Sequence, residues 1–118
     1  MIKLEFSKED QDDIMKFQQI QQQMQVIMMQ KQGLQLQAAE IDGALRELEN
    51  NKEKDIFEVV GNIMIKKSKK EVADSLKEKK DLIDLRTSTI DKQAEKLNEK
   101  AIELQKKLSS RMKHEKKK

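Results

Sequence analysis

Two stretches of this chain repeat one apolar spacing, and that spacing admits few folds. Phe17, Ile20, Met24, Ile27, Lys31, Leu34, Ala38, Ile41, Leu45 and Leu48 follow alternating steps of three and four. Ala73, Leu76, Lys80, Ile83, Thr87, Ile90, Ala94, Leu97, Ala101, Leu104 and Leu108 do the same. Steps of three and four place side chains on one stripe of an α-helix, as in a coiled coil. Lys31, Lys80 and Thr87 are the polar members of the two stripes. Leu82, Leu85 and Ile102 lie beside the second stripe and are expected to widen it. Two narrow stripes also suit a chain with 40% charged and only 36% apolar residues, three Phe and no Trp or Tyr, which cannot fill a thick core.

The helix ends carry their own signals. Ser7 offers an N-cap, with Asp10 three positions on as half of a capping box. Glu9, Asp10, Asp12 and Asp13 suit the positive end of a helix dipole. Ten Gln between positions 18 and 37 are tolerable helix formers on a solvated face. Asn50 and Asn51 are stop signals. The spacing therefore predicts a first helix over 7–50. Ser68-Lys69-Lys70-Glu71 is a full S-x-x-E capping box, and it opens a second helix expected over 68–112.

Between them, residues 55–67 read DIFEVVGNIMIKK. Ile56 to Val60 reads as a strand, Gly61-Asn62 as a two-residue turn and Ile63 to Lys67 as the returning strand. Gly at the first turn position supplies the positive φ such a turn needs. Ile56, Val59, Val60, Ile63 and Ile65 are β-branched and favour the pleated form over a helix. Phe57 and Val59 fall on one face of this ribbon and Ile56 and Val60 on the other, so both faces are apolar. A lone two-stranded hairpin is marginal in water.

The two stripes can meet only if the chain doubles back at the hairpin. One register pairs Ile41 with Ile83, Leu34 with Ile90 and Ile27 with Leu97. It also sets the acidic start of the first helix beside the basic end of the second. The expected fold is mainly α: a long antiparallel coiled-coil helical hairpin with a single β-hairpin at its closed end. Narrow helices cannot cover that β-hairpin and its two open edges. Pairing with hairpins of other subunits, ideally into a closed intersubunit β-barrel, covers both.

Charge and composition exclude several function classes. The formal net charge is +3, but residues 106–118, KKLSSRMKHEKKK, hold seven basic residues and one acidic. The rest has 18 basic and 21 acidic residues (25 less 7, and 22 less 1), so the basicity belongs to a tail at 113–118 and its approach. With no aromatic residue there to stack bases, nucleic acid is a poor partner. Without Cys there is no disulfide and no thiolate zinc site. No apolar run reaches the roughly 18 residues of a membrane span. No phosphate-binding Gly-rich loop is present, and the one His, His114, lies in the charged tail. These features imply no catalytic residues, no metal, no cofactor, and a cytoplasmic setting.

FQQIQQQMQ, then IFEVVGNIMIKK, then LNEKAIELQKKL, in this order over roughly residues 11–110, resemble the prefoldin beta subunit. The single central hairpin carries the resemblance, because the family's alpha subunits have two. It implies one prefoldin-like domain over 1–118 and an ATP-independent chaperone. The implied partners are alpha-type subunits and other copies of the chain, two alpha to four beta, whose hairpins form the barrel. Non-native clients held between the helix tips, and a group II chaperonin that receives them, complete the set.

Carried onto this sequence, the tips are Ile14, Phe17, Ile20, Leu104, Leu108 and Met112, with Ile2, Leu4 and Phe6 beyond them. The assembly residues are Ile56, Phe57, Val59, Val60, Gly61, Ile63, Met64 and Ile65. Plain coiled-coil packing explains most stripe residues without any client. The rival functional reading is a coiled-coil scaffold or tether with no chaperone activity.

Overall fold

The structure, a computed structural model, describes residues 7–53 and 55–116, with side chains described as far as Met112. The order is α1 (Lys8–Asn50), β1 (Asp55–Val60), β2 (Ile63–Ser68) and α2 (Lys69–Lys116). The helix–hairpin–helix order expected from the spacing is the one observed. α2 runs past its expected end at Met112, so the backbone of 113–116 is helical. Ile2, Leu4, Phe6 and the side chain of His114 lie outside the described residues.

The chain divides into two compact units, Lys31–Thr89 and Met1–Gln30 with Ile90–Lys118. In the Lys31–Thr89 unit the end of α1 and the start of α2 pack antiparallel. Ile41 and Ile83 are its most buried apolar side chains, and both line one shallow groove with Leu76. That agrees with the Ile41–Ile83 register. Leu34, Ala38, Leu45, Leu48, Ala73, Leu76 and Thr87 are half-buried, while Leu82 and Leu85 point to solvent. The stripe is therefore narrow and is not widened by these two leucines.

Its polar members are accommodated locally. The Thr87 hydroxyl donates to the Ile83 carbonyl at 2.9 Å, one turn back. Lys80 lays its stem along the seam and donates its ammonium to Asp42 Oδ1 at 2.5 Å. Both partners are more than a third exposed, so water screens the pair and it adds little to stability.

Short links fix the junctions. The Asn51 N–H donates to the Glu47 carbonyl at 3.0 Å, closing the last turn of α1. Asn51 Oδ1 then accepts from the Glu53 N–H at 3.0 Å, which bends the chain out of the helix. Lys69 Nζ reaches across to the Asn51 carbonyl at 2.6 Å. Ser68 Oγ accepts from the Glu71 N–H at 3.2 Å, the capping contact that starts α2.

Among the described residues of the unit formed by Met1–Gln30 with Ile90–Lys118, Ile20 is the most buried apolar one. Phe17, Met24, Ile27, Ile90, Ala94, Leu97, Ala101, Leu104 and Leu108 form the half-buried seam around it. Ser7 caps α1 as its sequence position implies. Its Oγ accepts from the Asp10 N–H at 3.1 Å and its carbonyl from the Gln11 N–H at 3.0 Å. Met15, Val26, Met28, Met29 and Ile102 lie off the seam and are exposed.

Candidate functional site

The first candidate is the hairpin. β1 and β2 pair antiparallel from Asp55↔Ser68 to Val60↔Ile63, which leaves a two-residue turn at Gly61 and Asn62. Gly61 has φ of 60° and no non-Gly residue among those described has a positive φ. That is the pattern of a II′ turn, whose twist matches that of the strands it joins.

The pairing sorts the side chains by face. One face carries the pairs Phe57↔Lys66 and Val59↔Met64, the other Ile56↔Lys67, Glu58↔Ile65 and Val60↔Ile63. Phe57, Val59, Val60, Ile63, Met64 and Ile65 are all exposed, Phe57 at 60% and Val59 at 67%. Only the end nearer the helices, at Ile56, Lys67 and Ser68, is half-covered, together with Glu58. So many large apolar groups on so short a ribbon form the kind of patch that marks an interaction surface.

Two ion pairs frame it. Lys67 meets Glu58 at 2.6 Å and Lys66 meets Asp55 at 3.3 Å. The hydrogen bond to Lys67 lowers the Glu58 pKa, and the same bond raises that of Lys67. The charges sit toward the helix end of the ribbon, and the turn end is left apolar.

The second candidate lies where α1 begins and α2 ends. Ile14, Phe17, Leu104, Leu108 and Met112 are half-buried there and Ile20 is buried. Phe17 and Ile20 line a groove with Met24, Ala101 and Ile102. The apolar groups are accompanied by a charge cluster that spacing alone did not single out. Arg111, from the penultimate turns of α2, lies among three carboxylates of the first turns of α1. Its Nη1 is 2.9 Å from Asp10 Oδ1 and 3.4 Å from Glu9 Oε1, and its Nη2 donates to Asp13 Oδ2. Asp10 and Asp13 are only 5% and 6% exposed. The bond to Arg111 holds the Asp13 carboxyl below its ordinary pKa, and Lys107 and Lys16 add to the effect.

The general placement, an acidic start beside a basic end, follows from the sequence register. The choice of Arg111 does not, because seven basic residues compete in that stretch. The available signal was the 9, 10, 13 spacing of the acids, which puts them over one helix turn facing a single partner.

Among the described residues no group of three or more His, Cys, Asp or Glu is placed to hold a metal ion. No described helix is long and apolar enough to cross a membrane.

The comparisons with known proteins agree with this architecture. A family model described as prefoldin subunit matches residues 11–115. The chain belongs to the prefoldin subunit family. Its similarity is to the beta class. It is 35% identical over 101 residues to the prefoldin beta subunit of Archaeoglobus fulgidus, covering 85% of this chain and 87% of that one. It is 37% identical over 91 residues to that of Thermococcus onnurineus, covering 76% and 78%. The crystal structure of the prefoldin beta subunit from Thermococcus strain KS-1 superposes with a TM-score of 0.86 at 30% identity, covering 92% of this chain and 96% of that one. The resemblance read from the single hairpin is thereby borne out, as is a mainly helical fold with two long helices and a β-hairpin between them. Prefoldin subunits are chaperone subunits, and this places the chain in protein folding rather than in an enzyme family.

Proposed function

We propose that this chain is a beta-type subunit of an ATP-independent holdase that captures non-native protein and passes it to a group II chaperonin. The observation that carries the reading is the uncovered hairpin: six large apolar residues stand exposed on a ribbon with two open edges. Hairpins of other subunits cover both faces and edges at once, and an assembly of two alpha-type and four beta-type subunits with a shared β-barrel is the arrangement proposed. In it, Ile56, Phe57, Val59, Val60, Gly61, Ile63, Met64 and Ile65 are the assembly residues.

Client contact is assigned to Ile14, Phe17, Ile20, Leu104, Leu108 and Met112. The half-buried state of five of them supports this role, since they keep accessible apolar surface while belonging to a packed seam. Flexible Met112 suits varied partners. Weak contacts repeated on several subunits add by multivalency, with no single sequence recognised.

Native mass spectrometry of the complex purified from its own cells tests the assembly, with four copies beside two of a larger helical partner expected. Aggregation of a denatured client, followed by light scattering without nucleotide, tests the activity. The complex is expected to suppress it, and Phe17→Asp with Leu108→Asp to abolish most of that suppression while the hexamer persists. An intact complex with no effect on aggregation would instead mean a coiled-coil scaffold.

A further inference from the structure

The Arg111 cluster is built unlike the three ion pairs described above. Those at Lys66, Lys67 and Lys80 join groups that are each more than a third exposed. Here two carboxylates are withdrawn from water, and one guanidinium serves three acids. Lys16 and Lys107 contribute from further off. The contact between Asp10 Oδ1 and Arg111 Nη1 is ionic without the direction of a hydrogen bond, and both atoms are buried. Asp10 also has its own N–H tied to Ser7, so the acid is held in place by the cap. Removing one partner from a buried ion pair leaves an unpaired buried charge, which is far more disruptive than removing all the charges together.

Around this cluster lie the seam residues of the same helix turns. Ile14 and Phe17 follow Asp13 on α1, and Leu108 and Met112 flank Arg111 on α2. All four are half-buried.

We infer that the Arg111–Asp10–Asp13 cluster is a conditional clasp that holds the first turns of α1 against the last turns of α2, and whose release uncovers Ile14, Phe17, Leu108 and Met112. The apolar seam is thin here and does not close the helix ends unaided. The ion cluster closes them, and loss of its charges opens them. Use of the uncovered groups by client protein rests on the proposed holdase reading; the clasp itself does not.

Amide hydrogen exchange on the full chain in its assembled form tests the clasp. Arg111→Met is expected to speed exchange across residues 14–20 and 104–112 by about tenfold or more, with residues 72–87 unchanged. Adding Asp10→Asn and Asp13→Asn to that variant is expected to slow exchange part of the way back, since no buried charge is then left alone, but to leave it faster than in the wild type, since the clasp is gone. Unchanged exchange in Arg111→Met overturns the clasp. So does a triple variant as slow as the wild type, which would mean that the apolar seam closes the ends without the ion cluster. Should Arg111→Met unfold throughout, the triple variant decides, a wild-type rate at residues 14–20 and 104–112 counting against the clasp. Loss of these exchange effects with aggregation suppression intact overturns the clasp and leaves the holdase reading standing.

Discussion

The hairpin and the paired helix ends both present apolar side chains, but they do so in opposite ways. On the hairpin, Phe57, Val59, Val60, Ile63 and Met64 are each more than half exposed, and the strands keep unpaired backbone groups along both edges. At the helix ends, Ile14, Phe17, Leu108 and Met112 are half-buried, and every backbone group in the helix interior is already bonded within its helix. Open edges and bare apolar faces demand a partner that stays, because both costs return when it leaves. Partly covered side chains on self-sufficient helices tolerate a partner that comes and goes. On the proposed function, the same residue types thus serve assembly in one region and transient capture in the other.

The strongest way to break this contrast is to charge the hairpin. Val60→Asp with Ile63→Asp sets two like charges directly opposite each other at the turn. Size-exclusion chromatography with light scattering should show loss of the complex altogether, while circular dichroism keeps most of its helical signal. A complex that survives would mean that the hairpin does not drive assembly.

A smaller effect should come from the turn. Gly61→Ala meets no neighbouring atom, so its cost is purely conformational, that of a Cβ at φ of 60°. About 1–2 kcal/mol is expected. It should appear as a lower midpoint for dissociation of the complex in urea, with the unfolding of the helix ends unmoved.

The smallest effect concerns acid. Folding lowers the Asp13 pKa below its ordinary 3.8, so the folded state binds this proton less readily than the unfolded one. Its contribution to stability is present in full above that ordinary value and is lost as pH falls through the lowered one. Asp13→Asn should remove this part of the acid response at the helix ends. Glu58, also lowered, should give the hairpin a separate response that Asp13→Asn leaves unchanged. Proton titrations of the two carboxyls by NMR would separate them, and an unshifted Asp13 would refute the pairing with Arg111.

Much of this was legible from spacing because the period of an apolar stripe and the chemistry of a turn are local. Every residue of the two three-four stripes is buried or half-buried, Lys31, Lys80 and Thr87 included. Gly61 has the positive φ assigned to it, and Ser68 caps α2 through Glu71. What spacing missed depends on contacts far apart in the chain. Arg111 and Asp13 are separated by 98 positions, and only the packed seam selects that arginine among its basic neighbours. Leu82 and Leu85 were expected to widen the stripe, yet they fall on the solvent side because a two-helix seam offers each helix only one facing surface. The strand ends differ by one residue at each side, since Asp55 and Ser68 pair through backbone groups that carry no sequence signature.

The bareness of the hairpin has a thermodynamic corollary. An element that is covered only by other subunits draws its stability from mass action, so its folding equilibrium contains the protein concentration. Heating a dilute sample should melt the ribbon well before the helices, and concentrating it should bring the two transitions together. On the proposed assembly, dilution is a denaturant for this part of the chain. On the same proposal, the ratio in which the chain and its partners are synthesised sets how long those apolar side chains stay uncovered in the cell.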